Sequence, residues 1–164
     1  MSETYVECLV KKEASVIAKF IRMVLFMITG MFALIGLLFP IMFFGALLTG
    51  LCAYFVNQNT DLEYEYLYLD KELTIDVIKA KAKRKRVATY EIERLEILAP
   101  IHSYHLDGYK NRNAKAIDYS IGYIEKPDRR YVLFYNGNEK IIFSPSEELV
   151  KAIRNVAPRK VFMD

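Results

Sequence analysis

The sequence is poor in the residues that most often do chemistry. Its 164 residues include two cysteines and two histidines, and no P-loop, nucleophile elbow or dinucleotide-binding glycine fingerprint occurs. Cys8 and Cys52 fall in an N-terminal tail and in an apolar block, which excludes a disulfide framework and fits a reducing compartment. His102 and His105 are spaced as metal ligands can be, with Asp107 close by. A metal site needs three or four converging ligands, however, and no cysteine or further histidine is at hand. Glu91, Glu93 and Glu96 lie in a turn and a strand, where carboxylates are expected to face water rather than act as an acid–base pair. No catalytic residue, metal or cofactor is expected, and the chain is read as not an enzyme.

Charge is also missing, but from one place only. Met23 to Val56 carries no charged residue, and this segregation explains how a chain that is 26% charged can be 53% hydrophobic with a mean hydropathy of +0.10. As one straight helix the stretch would run about 50 Å, beyond a hydrocarbon core of about 30 Å. A fold at Phe39/Pro40 gives two legs, Phe20 to Leu38 and Ile41 to Val56. Each is near the lower limit for crossing a bilayer, and both a spanning and a re-entrant hairpin are open. Thr29, Ala33 and Gly36 share one face, as do Ala46, Gly50 and Ala53; folding sets Ala33 beside Ala46 and Thr29 beside Gly50. Lys11, Lys12, Lys19 and Arg22 precede the hairpin and many Lys and Arg follow it, so both termini are expected in the cytoplasm. No cleavable signal peptide fits, since the apolar core begins late and is too long.

The chain is expected to divide into a tail over 1–19, a transmembrane helical hairpin over 20–56 and a cytoplasmic domain over 57–164. In the tail, Thr4 to Val10 alternates like a short strand, either frayed or returning to an edge of the later sheet. The domain reads as α+β. Seven strands are predicted: Glu63 to Leu69, Glu72 to Ile78, Arg84 to Tyr90, Arg94 to Leu98, Lys115 to Tyr123, Arg130 to Tyr135 and Glu139 to Phe143. Asp70-Lys71 and Asn136-Gly137 are the tight-turn candidates. Ser144-Pro145-Ser146-Glu147 has helix-start chemistry, with Ser144 as cap, Pro145 in the first position and Glu147 closing a capping box. Leu149, Val150, Ile153 and Val156 then form an apolar stripe that Pro158 ends.

Seven antiparallel strands closed by a C-terminal capping helix describe a pleckstrin-homology-like barrel. The segment from Glu63 to Leu98 resembles bacterial pleckstrin-homology-like domains that follow a two-helix membrane hairpin. EYEYLYLDKEL, KAKRKRVATYEIERLEILAP and the closing APRKVF are similar to a family of small two-helix membrane proteins of Gram-positive bacteria. That resemblance implies a fold and a location, the bacterial cell membrane. It brings no catalytic or binding residues with it.

Two surfaces stand out. Lys79, Lys81, Lys83, Arg84, Lys85 and Arg86 form a basic run, and each cation near an anionic leaflet could gain about 1 kcal/mol. The alternative is a solvated hairpin that reinforces topology. Nucleic acid is not an expected partner, because no aromatic platform accompanies the run and the net charge is only +3. The long loop from Ile101 to Asn113 offers Tyr104, Leu106 and Tyr109 for contact with a partner. The expected function is a membrane-anchored, non-enzymatic binding or scaffolding module whose domain contacts a protein partner or forms a homo-oligomer. The alternative is a sensor of anionic lipids acting through residues 79–86.

Overall fold

A computed structural model describes residues 5–122 and 126–164. Among these described residues, eight strands form two four-stranded sheets. The first contains β1 (Val6–Lys12), β2 (Leu62–Leu69), β3 (Glu72–Lys79) and β4 (Lys83–Glu91), adjacent in that order and antiparallel throughout. The second contains β5 (Leu95–Pro100), β6 (Lys115–Asp118), β7 (Tyr131–Tyr135) and β8 (Glu139–Phe143), in the order β5-β7-β8-β6.

The expected seven-stranded antiparallel barrel is therefore corrected in three respects. The N-terminal strand is part of the first sheet: β1 pairs with β2 from Val6↔Tyr68 to Lys12↔Leu62. The sheets stay separate, because a 3-10 turn at Ile92–Arg94 carries the chain from β4 to β5 without pairing them. Finally, β6 runs parallel to β8 and stops at Asp118; Tyr123, the expected end of that strand, lies outside the described residues.

Strand alternation builds the core. Tyr64, Tyr66 and Tyr68 on β2 and Leu73, Ile75 and Val77 on β3 turn the same way and are buried against Leu133, Ile141 and Phe143 of the second sheet. Tyr66 and Phe143 meet edge to face at 5.4 Å, and Tyr90 and Tyr135 at 5.1 Å. The helix α3 (Glu147–Val156) covers one end with Leu149, Val150 and Ile153, each fully buried. Burying such side chains stabilises the fold by roughly 1.5–3 kcal/mol apiece. Its cap is Ser146, whose Oγ accepts from Leu149 N at 3.2 Å, rather than Ser144. Glu147 and Glu148 therefore occupy the first turn, where the helix dipole favours negative charge. Ser144 is spent elsewhere: its N–H donates to the Tyr66 hydroxyl at 3.3 Å. Val156, at the frayed end of the stripe, is exposed.

Three hairpins turn through paired left-handed residues: Asp70-Lys71 (φ 50° and 67°), Asn136-Gly137 (48° and 76°) and Ala80-Lys81 (47° and 55°). Such turns match the twist of the flanking strands. The third lies inside the basic run and uses an alanine where glycine or asparagine is the usual choice.

Between β1 and β2, where a short hairpin loop would suffice, the chain inserts two helices, α1 (Val16–Gly36) and α2 (Met42–Thr60). They lie side by side. The Thr29 and Thr49 hydroxyls are 3.0 Å apart, and a Cβ added at Gly50 would lie 3.6 Å from Thr29 Cγ2. At Gly36 an added Cβ would come within 3.1 Å of the Phe43 ring, so the turn end of the pair is packed on the bare glycine backbone. Their outward surface is a sleeve of exposed apolar side chains that includes Phe20, Met27, Leu34, Phe44, Leu48 and Phe55. α1 is long and apolar enough to cross a membrane; α2 ends in the polar turn Asn57-Gln58-Asn59-Thr60.

Candidate functional site

Strand register determines which cations meet. Lys12, Leu62, Lys79 and Lys83 are aligned across β1, β2, β3 and β4, and this row ends the first sheet on the side from which α1 and α2 leave. A cavity of about 330 Å³ opens at the root of the helices, lined by Lys11, Lys12, Glu13, Lys19, Arg22 and Asp61 among others. Lys11 pairs with half-buried Asp61 at 3.4 Å and Lys19 with Glu13 at 3.3 Å, the second pair exposed to solvent. The Lys12 ammonium donates to the Tyr64 hydroxyl at 3.3 Å and sits 5.5 Å from that ring's centre. Arg22 donates to Asn57 Oδ1 at 3.0 Å, tying α1 to α2, and Lys79 donates to Asn59 Oδ1 at 3.2 Å. The loop after β6 closes the rim, with Glu13 N donating to Ile121 O at 2.7 Å. Gly122 (φ 85°) is needed beside it, since an added Cβ would lie 3.1 Å from Glu13 O.

Strand register divides the basic run. A register irregularity between Ile75 and Asp76 sets Asp76 opposite Arg86 and Ile78 opposite Arg84, on the face that carries Glu65. Glu65 and Asp76 face each other across β2 and β3 with side chains only 8% and 7% exposed. Arg84 pairs with Glu65 and, through Nε, with Asp76 Oδ2 at 3.0 Å; Arg86 Nε lies 3.7 Å from Asp76 Oδ1. Two buried like charges are tolerated only with opposite charge laid over them. Arg84 and Arg86 are thus engaged within the fold, while Lys81, Lys83 and Lys85 are exposed and Lys79 is half-buried. Sequence reasoning missed the two carboxylates. The available signal was alternation: in Glu63 to Leu69 every Glu lies on the face opposite the tyrosines.

The long loop is mostly structural. Residues Tyr104–Tyr109 form a 3-10 turn capped by Ser103, whose Oγ accepts from His105 N at 3.3 Å. Leu106, expected as a contact residue, is buried among Ile97, Ala99, Val132 and Phe134, because the turn folds back on the second sheet. Tyr109 is half-buried on Phe134, 4.9 Å between ring centres, with Arg112 over its other side at 4.6 Å. Tyr104 is the exposed member, 69% accessible, with its ring tilted against His105 at 3.9 Å; His105 in turn stacks on Phe162 at 3.7 Å. The two histidines face different partners, since His102 Nε2 lies 3.2 Å from Asp128 Oδ2. The Arg130 guanidinium grips the Asp128 carboxyl and holds its pKa down, to about 2. Among the described residues, no group of three or more His, Cys, Asp or Glu is arranged to hold a metal ion.

Two sheets enclosing a tyrosine-rich core, closed at one end by a C-terminal helix, give an α+β domain of the PH-like class. Residues 2–163 match the family model described as Bacterial PH-like domain (DUF6106), and the chain belongs to that family. The match takes in β1, both long helices and α3 together. No curated protein and no solved structure matches the chain.

Proposed function

We propose that this protein is a non-enzymatic binding or scaffolding module held on the inner surface of a bacterial cell membrane, with both termini cytoplasmic and α1 and α2 as its anchor. The observation that carries the reading is the insertion of an apolar helix pair between β1 and β2, with lysines gathered at its root. Exposed apolar sleeves of this kind need a lipid or protein environment. Cations at helix ends match the positive-inside pattern. An anchor of that design fixes the domain's height and orientation against the bilayer, which suits a module that meets a protein partner or another copy of itself. Crosslinking of the full chain in native membranes tests this, with protein adducts expected through the PH-like domain. Repeated recovery of monomer alone would contradict it.

A second reading is supported by the cavity at the helix root. Lys11, Lys12, Lys19 and Arg22 there, with Lys79, Lys81, Lys83 and Lys85 nearby, offer a collar for anionic headgroups, each worth about 1 kcal/mol close to the surface. The carriers differ from those expected from the basic run, because Arg84 and Arg86 are engaged with Glu65 and Asp76. Reconstitution into vesicles with and without anionic lipid distinguishes the readings. Salt-sensitive ordering of the collar by anionic lipid favours it, and indifference to lipid charge rules it out.

A further inference from the structure

The outer face of the first sheet, which packs against neither the second sheet nor α3, carries a groove of about 350 Å³. Its walls are Tyr5, Leu67 and Leu69, with Glu7, Asp70 and Glu72 at the rim and Arg84 and Arg86 at one side. The arginines contribute little net field there, because Glu65 and Asp76 lie beneath them and neutralise them. What remains available is negative charge around apolar side chains, in a chain that is otherwise basic at +3. One further observation points to a ligand. Tyr5, Leu9 and Leu69 stand 57%, 55% and 41% exposed on the same face, an apolar strip on which none of the other described residues packs closely enough to bury it.

We propose that this groove docks a segment of a partner protein that carries lysine or arginine between apolar residues. Apolar side chains cover Leu67 and Leu69 while the basic group pairs with Glu7, Asp70 and Glu72, and complementarity to that acidic rim makes the pairing selective. The inference rests on the reading of the chain as a binding module and names its partner's chemistry. It does not depend on the membrane anchor, whose root lies at the opposite end of β2 from Leu69 and Asp70.

The test uses the full chain in mild detergent and a fluorescein-labelled probe, Ala-Lys-Leu-Arg-Leu-Ala, with Ala-Glu-Leu-Glu-Leu-Ala as its counterpart. Anisotropy should report binding of the basic probe only. The double variant Glu7→Gln/Glu72→Gln, both exposed positions, should weaken it about tenfold and flatten its salt dependence. Glu147→Gln on α3 should leave it unchanged. Equal binding of both probes, or indifference to Glu7→Gln/Glu72→Gln, overturns the proposal. So does self-association of the chain that the double variant abolishes while the basic probe does not bind, because the occupant is then a second copy. Membrane fractionation separates the two readings: a parent chain that sediments with membranes but does not bind the basic probe overturns the groove alone and leaves the module reading to its crosslinking test.

Discussion

Tyr66→Phe removes one oxygen and nothing else, yet that oxygen joins the two sheets. The Tyr66 hydroxyl donates to Tyr119 O at 2.6 Å and accepts from Ser144 N at 3.3 Å, and the residue is fully buried. Without it a carbonyl just after β6 and an N–H just after β8 lose their partner. Each orphaned group costs roughly 1–3 kcal/mol when water cannot reach it. The ring stays, its edge-to-face contact with Phe143 at 5.4 Å included, so no cavity term adds to this. A total of about 2–3 kcal/mol is expected, partly relieved by local adjustment. For a chain of this size that corresponds to a fall in Tm of roughly 5–10 °C. The assay is thermal unfolding of the full chain in detergent, followed by the near-ultraviolet circular dichroism of its 12 tyrosines. Tyr104→Phe, on the exposed stack, is the control and should fall within about 0.5 kcal/mol of the parent. If Tyr66→Phe behaves like that control, the sheets are not joined through this hydroxyl and the reasoning fails.

Arg84→Ala strips one counter-charge from buried Glu65 and Asp76 and should cost about 2–3 kcal/mol, less than a fully buried break because Arg84 is half-exposed and Arg86 remains. Lys83→Ala, one position away, should change stability by no more than about 0.5 kcal/mol in the same denaturant titration. Ala80→Gly should raise stability by roughly 0.5–1 kcal/mol, since φ is 47° there, whereas Ala82→Gly should lower it; the chemical-denaturation midpoints decide. Asp128 titrates at about 2 in the fold, below its ordinary carboxyl range. Its stabilisation is present above about pH 4 and lost as pH falls toward 2. Acid unfolding of Arg130→Ala should therefore be less steep in that window than that of the parent.

Local pattern made the strands, the Asp70-Lys71 and Asn136-Gly137 turns and the position of the last helix legible, because each depends on neighbours two to four residues apart. Pairing over long separations was not legible. Val6 reaches Tyr68 across both long helices, and nothing in VECLVKK distinguishes a sheet edge from a tail. The basic run looked uniform for the same reason: only the register across β3 and β4 assigns Arg84 and Arg86 to carboxylates and Lys83 and Lys85 to solvent. Leu106 looked like a loop contact because a 3-10 turn that folds onto its own sheet has no periodic signature. Of the candidate contact residues in that loop, exposed Tyr104 alone keeps the accessibility that a partner surface needs, since Leu106 is buried and Tyr109 half-buried.

Membrane placement is tested most directly by labelling from outside. With Cys8 and Cys52 replaced by serine, single cysteines at Phe39 in the turn between α1 and α2 and at Tyr104 on the domain surface are exposed in intact cells to a membrane-impermeant maleimide. A bilayer-crossing anchor with the domain inside predicts labelling of Phe39→Cys in intact cells, and of Tyr104→Cys only after the membrane is opened. Labelling of Tyr104→Cys in intact cells, or recovery of the chain in the soluble fraction, would contradict the account.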